Sequence, residues 1–301
     1  MTSGMKHICV CICTYKRPAL LKHLLEALDV QETSGLFTYS VLVVDNDHLR
    51  SAEYLVSGFA VASTISVKYC AEAEQNIALA RNKAIENAHG EFIAFIDDDE
   101  YPQRNWLLTL FNACKKYDVD GVLGPVKPHF GQGVPSWVVK GKFYERPTYP
   151  TGLVIDGRKG RTGNVLLKRQ VFSETRQRFR PEFRTGEDQD FFRQVIEKGY
   201  VFIWCDEAVA YEIVPPVRWR RRFMLRRALL RGATAVMHPT FGARDIAKSV
   251  IAVPMYVVAL PFALPLGQHK FMPLLVKLFD HIGKLLALLG IQPVKEQYVT
   301  N

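Results

Sequence analysis

Between residues 7 and 126, short apolar runs rich in β-branched residues alternate with segments of helical spacing, and this rhythm constrains the fold more than anything else in the chain. The runs 7–13, 39–44, 64–69, 91–96 and 121–126 read as strands. Segments 19–29, 76–88 and 105–117 read as helices; the first carries Leu20, Leu21, Leu24, Leu25 and Leu28, with Pro18 placed for a helix start. A βαβα order predicts an α/β fold with a doubly wound, mostly parallel sheet and working residues at the carboxyl ends of its strands. The 301 residues suit one large α/β domain with an appendage, or two small domains. A hydrophobic content of 48% excludes intrinsic disorder. Six Cys, at 9, 11, 13, 70, 114 and 205, form no CxxC pair, which argues against a zinc site or disulfide framework and for a reducing compartment. The apolar run 7–13 is too short for a secretory signal.

After Val126 the rhythm breaks. Segment 127–162 is rich in Pro and Gly and carries Phe130, Trp137, Phe143, Tyr144 and Tyr149, which are expected to wall a pocket in a functional loop region. Strands are expected again at 162–167, 200–204 and 208–211, with a helix over 187–198. The character changes once more at Pro215-Pro216, so the chain is expected to divide into 1–212 and 213–301.

Charge sharpens that division. The chain has 39 Lys and Arg against 30 Asp and Glu, a net +9, yet seven of the Arg lie between Arg218 and Arg231, where no acidic residue occurs. Without those seven, only +2 is left for the rest. Segment 217–237 reads as a basic amphipathic helix with Trp219, Phe223, Leu229 and Leu230 as its apolar side. Segment 249–267 has no charge but contains Pro254, Pro261 and Pro265, so a straight spanning helix is not expected. Segment 271–289 interrupts its leucines with Lys277, Asp280, His281 and Lys284, as an interfacial helix does. Basic residues near an anionic membrane contribute roughly 1 kcal/mol each, with Trp219 and Phe223 expected at headgroup level. A soluble helical appendage or a dimer interface fits the same residues.

Asp97-Asp98-Asp99 is the chemically loudest feature. Three consecutive carboxylates at a strand end repel one another unless a cation or a set of donors offsets the charge. A divalent ion held by one or two of them can hold a diphosphate in turn; a solvated acidic turn is the other reading. The eight His show no metal spacing, and neither a Ser or Cys nucleophile signature nor a GxxxxGK[ST] loop occurs.

Five motifs then occur in order: Val10-Cys11-Ile12-Cys13-Thr14-Tyr15-Lys16-Arg17-Pro18, Val43-Val44-Asp45-Asn46, Asn76-Ile77-Ala78-Leu79-Ala80-Arg81-Asn82, Phe95-Ile96-Asp97-Asp98-Asp99, and Gly186-Glu187-Asp188-Gln189-Asp190. Together they resemble the inverting glycosyltransferases of family 2, which have the GT-A fold and use nucleotide-diphospho-sugars, over residues 7–212. Within that family the chain is similar to enzymes of bacterial exopolysaccharide and lipid-linked oligosaccharide assembly. The resemblance implies that 1–212 is the catalytic domain and that Thr14, Tyr15, Arg17, Asp45 and Arg81 bind the nucleotide donor, expected to be a UDP-sugar. It implies that Asp97 or Asp98 supports the ribose, and that Asp99, with Asp97, ligates Mn²⁺ or Mg²⁺ in a DxD motif. Asp188, with Glu187 beside it, matches the base that deprotonates the acceptor hydroxyl; a helix N-cap is the alternative for this pair. Processive synthases of the family carry QxxRW, but here Pro215 stands three residues before Arg218-Trp219. That departure points to addition of a single sugar to a polyprenyl-linked or other glycan, by an enzyme peripheral or monotopic on the cytoplasmic face of the inner or plasma membrane. Two competing readings are a nucleotidyltransferase, and a non-enzymatic membrane or nucleic-acid scaffold built on the Arg-rich helix. The first lacks a Gly-rich N-terminal loop. For the second, nucleic acid is not an expected partner, because few stacking aromatics accompany the Arg stripe.

Overall fold

The computed structural model describes residues 5–173, 178–183, 186–238, 240–292 and 294. It separates into two compact units, one made of Met1–Pro128, Arg146–Pro181 and Gly186–Ile213, the other of His129–Glu145, Glu182–Thr185 and Val214–Asn301.

In the first unit the alternation forms β1 (Lys6–Thr14), α1 (Pro18–Leu28), β2 (Phe37–Asp45), α2 (Glu53–Ala62), β3 (Ser66–Ala71), α3 (Ile77–Asn87) and β4 (Phe92–Ile96), of which α2 was not expected from the spacing. A short strand β5 (Glu100–Pro102), helix α4 (Trp106–Tyr117), β6 (Gly121–Leu123) and β7 (Val126–Phe130) follow. Further on come β8 (Asn164–Lys168), α6 (Gln170–Ser173), α7 (Glu187–Glu197), β9 (Phe202–Trp204) and β10 (Ala210–Val214); α5 (Ser136–Lys140) belongs to the second unit. Seven strands form the main sheet in the order β3-β2-β1-β4-β8-β6-β9. It is parallel except for β8, which runs antiparallel to both β4 and β6. The order reverses between β1 and β4, where open α/β sheets leave a ligand crevice beyond their carboxyl ends.

Side-chain alternation on β1 explains why its run is apolar throughout. Ile8, Val10 and Ile12 face one core with Leu21, Leu24, Leu25 and Leu28 of α1 and Trp106, Leu107, Leu110 and Phe111 of α4. Cys9 and Cys11 face the other, with Ala78, Ala80 and Ala84 of α3 and Phe191, Phe192 and Val195 of α7. A strand covered on both sides needs apolar residues at every position. Each fully buried large side chain stabilises the unit by about 1.5–3 kcal/mol.

The run 121–126 does not make one strand. At Gly124 an added Cβ would lie 2.3 Å from the Ala208 carbonyl oxygen, so only glycine admits this approach. The chain leaves the main sheet there, and β7 joins a second sheet in the order β5-β10-β7.

The second unit contains α5, a 3-10 turn (Pro216–Trp219), α8 (Arg221–Ala235), α9 (Ala243–Ala263) and α10 (Gln268–Leu288). Four of the five aromatics expected to wall a pocket form its core instead. Phe130, Trp137, Phe143 and Tyr144 pack with Val138, Trp219, Met224 and Met272. Tyr149 alone lies in the first unit, edge-on to Trp204. Trp219 and Phe223 are buried too, not at a headgroup-facing surface, because α8 turns its apolar side inward. Helices α8 and α10 cross closely at two glycines: an added Cβ on Gly232 would lie 2.0 Å from the Asp280 carbonyl oxygen, and one on Gly283 would lie 2.3 Å from that of Leu229. Asp280 then binds Arg231 at 2.7 Å and Lys284 at 2.8 Å. Helix α9 runs unbroken through Pro254 and Pro261. By length and composition it is the one helix among the described residues sufficient to cross a membrane.

Candidate active site

The sequence motifs meet at the carboxyl ends of β1, β2 and β4. β1 ends at Thr14, and the turn after it passes through Lys16 at φ 54°, an uncommon conformation for a residue with a side chain. That turn directs Arg17 back onto the acidic triplet. The Thr14 hydroxyl donates to Asp98 Oδ2 at 2.8 Å, while Arg17 Nη1 donates to Asp98 Oδ1 at 3.0 Å and Asp99 Oδ2 at 3.3 Å. Asp98 is therefore buried and satisfied on both oxygens. Burial pushes its carboxyl up to about 6; Arg17 opposes the rise and Asp99 adds to it. Tyr15 is half-buried, with Lys16 Nζ 5.1 Å from the centre of its ring.

Asp45, at the end of β2, has no exposed surface. Its Oδ1 accepts from the Asp47 N–H at 3.1 Å; its Oδ2 accepts from the Ala52 N–H at 2.7 Å and the Tyr69 hydroxyl at 3.1 Å. The carboxylate expected to meet a base thus organises the loop between β2 and α2, and burial raises its pKa. The neighbouring Asn46 fixes the next segment, donating to the carbonyls of Glu72 and Glu74 and accepting from the Asn76 N–H.

Asn76 caps α3, its side chain accepting from the Ala78 N–H at 2.9 Å. The cap fixes the helix start, and one turn later Arg81 is buried. Its guanidinium binds Glu187 of α7, lies 3.7 Å from Asp97 and stands over the Phe179 ring at 5.5 Å. Burial pushes the Glu187 carboxyl up, Arg81 pulls it down, and Asp188 pushes it up again. The same ion pair places Glu187 and the triplet on either side of one cation.

Helix α7 starts after Gly186, whose φ of 79° is left-handed, so neither acidic residue serves as the N-cap. Glu187 is buried, whereas Asp188 is half-exposed and uses Oδ1 to accept from the Gln189 N–H at 2.7 Å. Asp190 turns inward and is held by Arg180, Arg193 and Gln194, a structural arrangement.

The triplet also has acidic neighbours that sequence reasoning missed. Glu100 and Glu212 face each other across β5 and β10, where two like charges would repel. Arg146 offsets them, 2.7 Å from Glu212 and 3.8 Å from Glu100. Glu100 is buried, with its pKa pushed well above the ordinary value by that burial and by Asp97, and its Oε1 has no hydrogen-bond partner among the described residues. An added Cβ on Gly163 would stand 2.8 Å from Glu100 Oε1 and 3.1 Å from Asp97 Oδ2, so both oxygens border one point on the backbone. Among the described residues, no three His, Cys, Asp or Glu side chains converge as a complete metal cage. A half-exposed Asp97 beside an unsatisfied Glu100 oxygen instead fits a hard cation bound by one or two carboxylates, with substrate oxygens completing its shell.

Asn164 is another residue missed. Its side chain donates to the Pro125 and Ala208 carbonyls at 2.9 and 2.7 Å and accepts from the Trp106 indole at 2.7 Å, tying the end of β8 to both sheets and α4. Beside it, a cavity is lined by Arg146, Tyr149, Arg158, Lys159, Arg161 and Trp204.

Comparison with known proteins identifies the family and the fold. Residues 9–176 match the family profile described as "Glycosyl transferase family 2". The chain is 32% identical to the succinoglycan biosynthesis protein ExoM of Rhizobium meliloti, covering 99% of this chain and 97% of that protein. It is 33% identical over 113 residues to the poly(ribitol-phosphate) beta-glucosyltransferase of Bacillus spizizenii, which is 37% of this chain but 17% of that protein. In three dimensions it resembles residues 1–349 of S. aureus TarS, solved in complex with UDP-GlcNAc. That match has a TM-score of 0.54 at 16% identity and covers 96% of this chain and 93% of that one.

Proposed function

The chain belongs to glycosyl transferase family 2 and is a glycosyltransferase, and from that premise we propose that it is an inverting enzyme adding a single sugar during exopolysaccharide assembly. The donor is a nucleotide-diphospho-sugar, UDP-linked as in the TarS complex, and the acceptor is a hydroxyl of a polyprenyl-linked or other precursor glycan. The observation that carries the reading is the ion pair between Arg81 and Glu187, which joins α3 to α7 and leaves the next carboxylate, Asp188, half-exposed.

The chemistry follows from the contrast between the two acids. Glu187 is committed to Arg81 and cannot take a proton without breaking a buried pair. Asp188 has a carboxylate oxygen available to accept the acceptor's hydroxyl proton. As the hydroxyl oxygen bonds to the anomeric carbon from one face, the bond from that carbon to the diphosphate oxygen breaks on the other, inverting the centre. Tyr15 and Thr14 border the base and ribose region, and Arg17 holds Asp98 and Asp99 in place. Asp97 and Asp99, with the unsatisfied Glu100 oxygen beside Asp97, would hold Mn²⁺ or Mg²⁺, which when bound supplies positive charge for the departing diphosphate. Arg158 and Arg161, both exposed at the cavity beside Asn164, suit an acceptor that carries phosphate.

A donor screen reading free nucleotide release, with Mn²⁺ or Mg²⁺ and with or without membrane extract, tests this reading. Release of a nucleoside diphosphate from one donor, lost in Asp99→Ala, is expected. Failure to bind or hydrolyse any nucleotide-sugar, or pyrophosphate as the product, contradicts it.

A further inference from the structure

The outer face of α9 has the wrong chemistry for water. Val250, Ile251, Met255, Val258, Phe262 and Leu266 recur at helical spacing and are 55–74% exposed. Pro254, Pro261 and Pro265 lie on the same exposed side. Over residues 250–266, about 24 Å of helix and its end, this face carries no charge. The opposite side packs inward: Ser249 and Ala263 are buried, and the Ser249 hydroxyl meets His281 Nδ1 of α10 at 3.0 Å. A surface helix of a globular protein is polar on its outer face, so α9 is apolar where it should be wet. An apolar patch of this extent marks a contact site.

Charge says what that contact is. Residues 214–292 carry twelve Lys and Arg against two Asp and Glu, a net +10 that exceeds the +9 of the whole chain. Arg220, Arg221 and Arg222 are exposed in the same unit. A second copy of so basic a unit would repel the first, whereas an anionic lipid surface attracts it.

We propose that α9 lies in the plane of an anionic bilayer leaflet, with its outer face sunk to the boundary between headgroups and acyl chains. Two observations set the depth. Pro254 and Pro261 have no N–H, so the carbonyls of Val250 and Val257 lose their helical donor. At the hydrocarbon centre each unsatisfied carbonyl costs several kcal/mol, whereas water and headgroups satisfy it at the boundary. Helix α10, packed against α9, also carries Lys277, Asp280, His281 and Lys284, which α9 would drag into hydrocarbon if it crossed. The helix therefore lies on the membrane and does not span it.

This inference goes beyond the sugar-transfer reading, and its test uses no activity, so either can fail alone. The full chain is sedimented with vesicles of phosphatidylcholine alone or mixed with phosphatidylglycerol, and its fold is checked by circular dichroism. Binding to the anionic vesicles is expected, released by alkaline carbonate and lost in Ile251→Glu/Phe262→Glu. Arg220→Gln/Arg221→Gln/Arg222→Gln should weaken it about 100-fold, at roughly 1 kcal/mol per basic residue. Absence of binding, or equal binding by the folded Glu variant, overturns the proposal. Retention through carbonate would mean that α9 spans. A lipid-free dimer that the Glu variant dissociates, without vesicle binding, would mean that a second copy covers the face.

Discussion

Replacing Arg81 by Met keeps most of the side chain's volume and removes its charge from a buried site. The Glu187 carboxylate then stands buried with its cation gone, and Asp97 loses a guanidinium 3.7 Å away. Breaking a buried ion pair from one side costs roughly 3–5 kcal/mol, a large fraction of the 5–15 kcal/mol that holds a typical domain. Arg81 now opposes the upward push of burial on Glu187, so without it that carboxyl rises further and protonates more readily. The penalty should therefore be largest at neutral pH and shrink as the pH falls. Arg81→Met/Glu187→Leu removes both charges and should recover most of the loss, giving a coupling of about 3 kcal/mol in the double-mutant cycle. Urea unfolding followed by tryptophan fluorescence measures each corner, and nucleotide release measured alongside should stay low in the double variant. A cost below about 1 kcal/mol for Arg81→Met, or an equal cost when Glu187 is already Leu, would refute the reasoning.

The acidic cluster predicts a pH dependence of opposite sense to ordinary acid denaturation. Asp98 is raised to about 6 in the folded chain from an ordinary 3.8, so its contribution in metal-free protein is full below the lower value and is lost as pH rises through the higher. The span is at most about 3 kcal/mol; melting in chelator should show it, and Asp98→Asn should flatten it. In the second unit, Gly283→Ala places a Cβ 2.3 Å from the Leu229 carbonyl oxygen and should cost about 1–3 kcal/mol by forcing α8 and α10 apart. Heat unfolding checks this, and an unchanged melting temperature would mean that the crossing is looser than described.

What the sequence revealed was local. The strands β1, β2 and β4 were legible because burial on both faces makes them apolar throughout, and their ends located Thr14, Asp45 and the triplet. The helical spacing of 76–88 announced α3, and with it Arg81; the Asn76 cap emerged only in the structure. Glu100, Arg146, Glu212 and Asn164 were missed because their partners lie far along the chain and meet only through β5, β8 and β10. The turn residues Asn46 and Asp47 beside Asp45 were visible in the sequence, and its carboxylate does accept from the backbone of that turn. The aromatics of 127–162 misled because exposed pocket walls and buried cores use the same side chains, and here Trp219 and Met224 recruit four of them into a core. The prolines of α9 do not end the helix, because a helix with an exposed side can leave a carbonyl unbonded there and continue.

In the proposed mechanism Asp188 takes the acceptor's proton while Glu187 and Arg81 hold the framework. The most direct test measures nucleotide release and UDP binding by Asp188→Asn, a change in the half-exposed first turn of α7 that leaves the Arg81 pair intact. Turnover should fall by about 10²–10⁴-fold with UDP affinity and unfolding free energy unchanged. Turnover at the unsubstituted level, or a fall explained by lost UDP binding, would mean that Asp188 is not the base.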